Sequence, residues 1–327
     1  MNFGPVLSPD GTAARLDAPL AWALLAGAGL LFVLVMALLA LALARPARPV
    51  RPLRWLVGGG LALPIVVLGS LAAANLQHLL SPGLAAPVDS LVVGVNAKAW
   101  WWQLRVQDPG HPDLMSANEL VLPVGRPVRL AMVSEDLIHS LWVPALAGKV
   151  DLLPGRVQHL VLHTEQAGRW RGLCAEFCGL GHTQMMLQVV ALPEAEYAAW
   201  LQNQRLPART PTSALQQRGL EQFIALRCHA CHTIRGVVQA LLGEPGPGTA
   251  GVTRDGGQSG NEGGGPDLTH LASREHLGAG TVRNDEAGLR AWITGVQTLK
   301  PGARMPSYGQ LDSATLEALV AYLRQLQ

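Results

Sequence analysis

Between Ala18 and Ala44 the chain carries no charged residue, and from Trp55 to Leu80 it again carries none. About 20 apolar residues rising 1.5 Å each cross the hydrocarbon core of a bilayer, so both stretches are long enough to span one. Asn75, Gln77 and His78 give the second stretch a polar exit. A cleaved leader is the other reading of the first. It is too long for that, with no cluster of basic residues ahead of it and no small-residue cleavage site before the second stretch. Arg45, Arg48, Arg51 and Arg54 fill the short link between the two. Positive loops stay in the cytoplasm. The pattern therefore predicts a membrane hairpin, spans at about 18–44 and 55–80, with both termini and everything after Leu80 on the outer side.

A chain of 327 residues exceeds what one hydrophobic core usually serves, roughly 250 residues, so more than one module follows the hairpin. A formal net charge of +2 argues against a nucleic-acid partner. From Ser90 to about Leu192, short β-rich runs (SLVVGV, ELVLPVG, VRLAMV, HSLWVP, QHLVLH) alternate with Pro, Gly and Asp, predicting a small antiparallel sandwich or barrel. Beyond Pro193 the texture turns helical. PEAEYAAWLQNQ opens a helix, residues 207–211 read as a linker, and TSALQQRGLEQFIAL, DEAGLRAWITG and SATLEALVAYLRQLQ are further helices. Residues 243–265 hold too much glycine for a core and read as a flexible insertion.

In that helical module RCHACHTIRG contains CxxCH: Cys228, Cys231 and His232. Two thiols at this spacing add to the vinyl groups of a haem, and the adjacent histidine is placed as the iron's proximal ligand. A zinc half-site would need a second ligand pair, and a thioredoxin-like pair a βαβ setting. A distal ligand is then needed, and Met305 in KPGARMPSYG is the candidate, a thioether in a Pro/Gly turn. His270 and His276 are rivals. His229 is expected to face outward.

The other two cysteines lie in RGLCAEFCGLGHTQMM, where Cys174, Glu176, Cys178, His182 and Met185 form CxExCxxxHxxM. Cysteines four apart are poorly set for a mutual disulfide in extended chain but can bridge metals. Thiolate, imidazole and thioether together select copper over magnesium or calcium. Zinc is the alternative, although a methionine three residues after the histidine does not suit it. A second histidine is required. His139 in SEDLIHSLWVP is the best candidate, with His159 and His163, on one face of a strand, as bystanders.

Residues 139–185, with IHSLWVP, GKVDLLPGR and CAEFCGLGHTQM, resemble subunit II of haem-copper cytochrome c oxidase. With the two spans, GPDLTH and KPGARMP, the resemblance covers the whole chain and extends to caa-type oxidases, whose subunit II carries a fused cytochrome c domain. It implies a membrane-anchored multidomain fold: a transmembrane hairpin (1–85), an all-β cupredoxin-like domain (86–195), a linker (196–212) and an all-α cytochrome c domain (213–327). It also implies the binuclear copper centre CuA, with His139, Cys174, Cys178, His182 and Met185 as side-chain ligands and Glu176 contributing its backbone carbonyl. The Glu176 side chain would ligate a magnesium at the interface with subunit I. Asp136 would orient a ligand from outside the first shell of atoms. In AWWWQLR, three tryptophans alternating on a strand should leave at least one exposed. The resemblance makes Trp100 the site where electrons reach CuA, ahead of Trp101. One departure is that RPLRWLVGGGLALP holds no acid where relatives carry a glutamate at the start of the second span. The insertion at 243–265 is another, being longer than the family leads one to expect.

The function so implied is that of the electron-input subunit of a proton-pumping terminal oxidase. Haem c would pass electrons to CuA and on to subunit I, where oxygen is reduced to water. Subunit III, and a cytochrome c or an upstream reductase as donor, would be further partners, at a bacterial-type cytoplasmic membrane with the soluble domains periplasmic. The rival readings are a membrane-tethered copper/haem electron carrier and the CuA subunit of a nitric oxide reductase.

Overall fold

The computed structural model describes residues 9–45, 51–79, 87, 90–108, 111–236 and 264–327. Of the expectations above, Arg48, Leu80 and the glycine-rich insertion up to residue 263 lie outside the described residues, as do the side chains of Gln77 and His78. Two apolar helical spans open the chain. Helix α1 (Thr12–Ala44) begins six residues before the predicted span. The second runs from α2 (Pro52–Trp55) through a π-helical segment, Leu56–Ala62, into α3 (Leu63–Leu79). The sequence of that segment, LVGGGLA, has three adjacent glycines, which leave room for the wider turn. Leu30, Phe32, Leu43 and Ile65 are uncovered by protein, the arrangement of helices meant for lipid.

Ten strands follow: β1 (Leu91–Lys98), β2 (Trp101–Gln107), β3 (Leu114–Ala117), β4 (Glu119–Pro123), β5 (Val128–Ser134), β6 (His139–Trp142), β7 (Val150–Leu152), β8 (Gln158–Leu162), β9 (Gly168–Cys174) and β10 (Met186–Leu192). They form two five-stranded sheets, ordered β3-β2-β1-β5-β8 and β4-β10-β9-β6-β7. Val93, Val95, Trp102, Leu130 and Met132 from the first meet Leu141, Leu187 and Val189 from the second in a core that shuts out water. The sandwich is mixed and not, as expected, wholly antiparallel. Strand β1 runs parallel to β5, with Val93 opposite Leu130, and β4 runs parallel to β10, with Leu120 opposite Val189. Parallel neighbours need a crossover connection. Here β2, β3 and β4 supply it for the first pair, and the long excursion through β5–β9 supplies it for the second.

Helix α4 (Glu194–Arg205) packs on this sandwich, its Tyr197 buried against Val121 and Val190. Three helices then build a second core: α5 (Ala214–Ala225), α6 (Glu286–Leu299) and α7 (Ser313–Arg324). Each starts on a side-chain cap. Ser213 and Gln216 form a reciprocal capping box on α5, while Asp285 and Asp312 accept from the Gly288 and Thr315 amides of α6 and α7. Such oxygens satisfy amides that a helix start leaves unpaired. Helices α5 and α7 cross in direct backbone contact. A Cβ on Gly219 would lie 2.0 Å from Ala318 O, so the crossing needs glycine there. Beside it Phe223 and Tyr322 meet edge to face, their centroids 5.9 Å apart. A short hairpin of β11 (His276–Leu277) and β12 (Val282–Arg283) lies between α5 and α6 in sequence.

Candidate metal and haem centres

Strands β6 and β9 are neighbours, with Leu141 opposite Cys174. His139, the first residue of β6, and Cys174, the last of β9, therefore meet at the same sheet end. The chain then turns through residues 175–185, pinned by the Ala175 N–H to Ser140 O at 2.8 Å and the Cys174 N–H to Met185 O at 3.2 Å. This turn brings the expected donors together. Cys174 Sγ lies 3.8 Å from His139 Nδ1, 3.7 Å from Cys178 Sγ and 3.2 Å from the Glu176 carbonyl oxygen, and Cys178 Sγ lies 3.7 Å from His182 Nδ1. Met185 is buried in the same cluster as both cysteines. His159 and His163 are elsewhere, His159 exposed on β8 and His163 bonded to Thr12 Oγ1 at 2.6 Å.

Two sulfurs side by side, each with its own imidazole through Nδ1, form a donor set that would suit a soft metal such as copper. A single tetrahedral zinc would use the same four donors but leave the buried Met185 thioether and the Glu176 carbonyl without a part. Without metal, the sulfur-to-sulfur contact lets one thiol ionise and holds back the other: Cys174 is pulled down to about 3 and Cys178 pushed well above its ordinary value. His139 is held up at about 9. Burial acts against this, and the hydrogen bonds to Asp136 and Cys174 overcome it. Metal uptake therefore releases protons and weakens in acid.

Asp136 is the outer partner of this set. Burial opposes its ionisation, but His139 and the Leu137 and Ala99 amides keep its carboxyl below the usual range. Its Oδ1 faces His139 Nε2 at 2.8 Å, and its Oδ2 accepts from the Ala99 N–H at 2.7 Å. One carboxylate thus fixes the imidazole tautomer with Nδ1 toward the sulfurs and also fixes the turn that carries Trp100. Replacing it, as in Asp136→Asn, is expected to lower copper affinity by about 10–100-fold, read as copper retained during titration with a chelator.

Trp100 lies in the turn ahead of β2, not on the strand; it and Trp101 are half-buried, and Trp102 is fully buried. Two of the three thus keep part of their surface open, as an alternating run would, and the rest of Trp100 is covered closely by glycine backbone. A Cβ on Gly181 would come within 2.4 Å of the Trp100 indole, one on Gly302 within 2.9 Å and one on Gly179 within 3.2 Å. The Trp100 indole N–H donates to Cys178 O at 2.6 Å. Gly179 and Gly181 belong to the cysteine turn, whereas Gly302 belongs to the loop of Met305. Trp100 is therefore clamped between the two candidate centres.

The second centre is a cleft lined by Cys228, Cys231, His232 and Met305, with Phe223, Leu289, Ile293 and Leu319 as apolar walls and Trp100 and Trp101 at its rim. It fits a haem. His232 Nδ1 bonds Pro266 O at 2.8 Å, which leaves Nε2 for iron, and burial keeps this imidazole neutral by lowering its pKa. Gly265 sits so close that a Cβ there would reach the imidazole at 2.6 Å. The loop of Met305 is held by Gln297, whose Nε2 donates to Ala303 O at 2.6 Å and Met305 O at 2.7 Å. Among the rivals, His270 is buried and bonded to Leu206 O at 3.1 Å, away from the cleft, while His276 stands in its wall. His229 is half-buried and does not line the cleft.

Further contacts join the two domains around Trp100. Gln184 Nε2 donates to Leu299 O at 2.6 Å, the Met186 N–H to Ala279 O at 3.1 Å, and Arg169 pairs with Glu275 at 3.0 Å. Lys300, only 4% exposed, also lies in this seam. Gln184, Gln297 and Lys300 escaped the sequence reading. A lysine directly before the Pro-Gly of the methionine turn was the one visible signal.

Fold and sites together define a chain of two apolar N-terminal helices, a β-sandwich whose loop gathers two thiols and two imidazoles, and a helical domain with a CxxCH-lined cleft, the layout of a membrane-anchored electron-transfer protein. Residues 92–192 match the family of the periplasmic domain of cytochrome c oxidase subunit II, and residues 216–327 match cytochrome c. The chain is 31% identical to cytochrome c oxidase subunit 2 of Alkalihalophilus pseudofirmus over 270 residues, 81% of this chain and 71% of that one. It is 28% identical to the Bacillus subtilis subunit over 274 residues, 82% and 70% of the two chains. A crystal structure of the periplasmic domain of subunit II of cytochrome oxidase from Bradyrhizobium japonicum aligns with 37% of this chain and 97% of that one, at 26% identity and a TM-score of 0.35. The chain belongs to the cytochrome c oxidase subunit II family, in the form that carries a cytochrome c domain. It is thus one subunit of an oxidoreductase. Its first matched domain implies CuA, its second implies haem c, and the family implies subunit I as partner.

Proposed function

We propose that this subunit takes up electrons at its cytochrome domain and hands them through Trp100 to the copper loop and on to subunit I of a proton-pumping oxidase. Cys228 and Cys231 would bond the haem, with His232 and Met305 as axial ligands. His139, Cys174, Cys178, His182, Met185 and the Glu176 carbonyl would hold the two coppers. When bound, these groups supply one-electron chemistry. The chain's own residues fix the path: Trp100 touches the copper loop through Cys178 O and lies against Gly302 in the loop of Met305. That double contact is the observation that carries the reading.

Phe177, Leu180, Leu137 and Ile138 stand exposed on the two loops that carry the copper donors. They are an apolar rim fit for subunit I, with the exposed Glu176 carboxylate beside them for a magnesium at that contact. Subunit III and a cytochrome c or reductase donor complete the assembly. The soluble domains and both termini lie outside, in keeping with the arginines at 45, 51 and 54 between the spans. Domain limits of 1–85, 86–195 and 213–327 serve this reading, and residues 196–212 join the last two, the part up to Arg205 as helix α4 packed on the sandwich.

The experiment is purification of the tagged full chain from membranes. A haem-copper subunit is expected to come with it, together with oxygen uptake that drains electrons from the haem c of this chain. Purification without that subunit and without oxygen uptake overturns the reading.

A further inference from the structure

The Lys300 ammonium lies at the centre of the seam between the two soluble domains. Its Nζ donates to Trp100 O at 2.7 Å, Gln184 O at 2.8 Å and Gly278 O at 2.8 Å. The first two carbonyls belong to the copper domain, one from the turn of Trp100 and the other from the short helical turn His182–Gln184; the third belongs to the cytochrome domain, as Lys300 itself does. We propose that Lys300 is a positioning residue that clasps the cytochrome domain onto the copper domain and so keeps the haem cleft against Trp100.

An ammonium has three N–H donors, and all three are used here on converging carbonyls; a neutral amine offers one fewer. Burial disfavours its charge, pulling the pKa down to about 7. Its three carbonyl bonds stand in for the water that burial removes, and losing the side chain leaves those buried carbonyls unpaired. The neighbouring bonds align with it. Leu299, the residue before Lys300, takes the Gln184 side chain on its carbonyl, and Ala279, the residue after Gly278, takes the Met186 amide on its own. Trp100 is held from three sides as a result: by Lys300 at its carbonyl, by Cys178 at its indole and by Gly302 at its ring.

The consequence for electron flow rests on the route through Trp100 proposed above; the clasp itself does not, and the test keeps them apart. In the purified oxidase, Lys300→Met removes all three donors and Lys300→Gln keeps two without the charge. Hydrogen exchange at the Met186 amide, whose bond crosses the seam, reports docking without reference to turnover. It is expected to quicken by about tenfold or more in Lys300→Met, the cost of losing buried hydrogen bonds, and by less in Lys300→Gln. Haem absorbance and the copper resonance spectrum should be unchanged. The rate of electron transfer from haem c to copper should fall in the same order. Unchanged Met186 exchange in Lys300→Met overturns the clasp; if that variant does not assemble, unchanged exchange in Lys300→Gln does so. Faster exchange with an unchanged transfer rate upholds the clasp and removes the route through Trp100.

Discussion

Cys174→Ser is expected to abolish the paired-copper signal in the electron paramagnetic resonance spectrum of the full chain while leaving the haem absorbance at full strength. The two sulfurs lie 3.7 Å apart, and each faces one imidazole. A signal shared over two copper nuclei would need both thiolates to hold the pair. With serine at 174, His139 loses its sulfur partner and Cys178 with His182 can hold at most one copper. The signal should collapse to that of a mononuclear site or vanish. Removing even an outer partner of a ligand costs about 10–100-fold in affinity or activity, so the loss of oxidase turnover should be at least about 100-fold. The haem survives because its cleft belongs to another core, built from Phe223, Ile293, Leu319 and Tyr322. A delocalised signal retained in the variant would disprove the two-copper assignment.

Met305→His should have the opposite selectivity, leaving the copper spectrum intact and lowering the reduction potential of the haem. A thioether favours ferrous iron more than a second imidazole does, so the sign is downward. Axial ligands span about 0.8 V in all, and the shift should be a sizeable fraction of that range. The position is rigid: Gln297 holds the loop on either side of Arg304, and Gly302 adopts φ +81°, a conformation few other residues accept. Histidine should therefore take the same place on the iron. Potentiometric titration followed at the haem band reads the change. An unmoved potential would mean that Met305 is not the distal ligand, and His276, in the wall of the same cleft, would take its place.

The candidate donors group themselves in the sequence because their spacing is local. CxExCxxxHxxM and CxxCH each place donors within one turn of chain, where spacing alone sets reach. His139 joins them on the sequence because the set lacks an imidazole and His139 stands at a strand end, and the fold brings it to 3.8 Å from Cys174 Sγ. Pairing between distant strands leaves no such trace. Nothing in VRLAMV or SLVVGV tells a parallel neighbour from an antiparallel one, and so β1 beside β5 was missed. Trp100 was placed on a strand because its neighbours alternate, whereas the bonds of Asp136 to Ala99 and His139 shape a turn there. The seam was illegible for a related reason. Lys300, Gln184 and Gln297 donate to main-chain carbonyls, and a carbonyl belongs to every residue, so no pattern of side chains announces its partner.

One feature of the N-terminal helix bears on how the copper domain is carried. The residues at the start of α1 are built into the sandwich: Asp10 and Gly11 amides donate to Ala145 O at 2.8 and 2.9 Å, the Thr12 amide donates to His163 O at 3.1 Å, and Trp170 Nε1 donates to the Asp10 carboxylate at 2.7 Å. Gly11 lies so near Leu146 that a Cβ would fall 2.2 Å from its carbonyl oxygen. A domain hung from the membrane by one strand of chain swings like a pendulum. This one is also bolted to the top of the other helix of the hairpin, which turns the pendulum into a bracket and sets the height and tilt at which the copper loop can meet a neighbour in the bilayer. Cutting the chain after the second span would discard the bolt along with the helix.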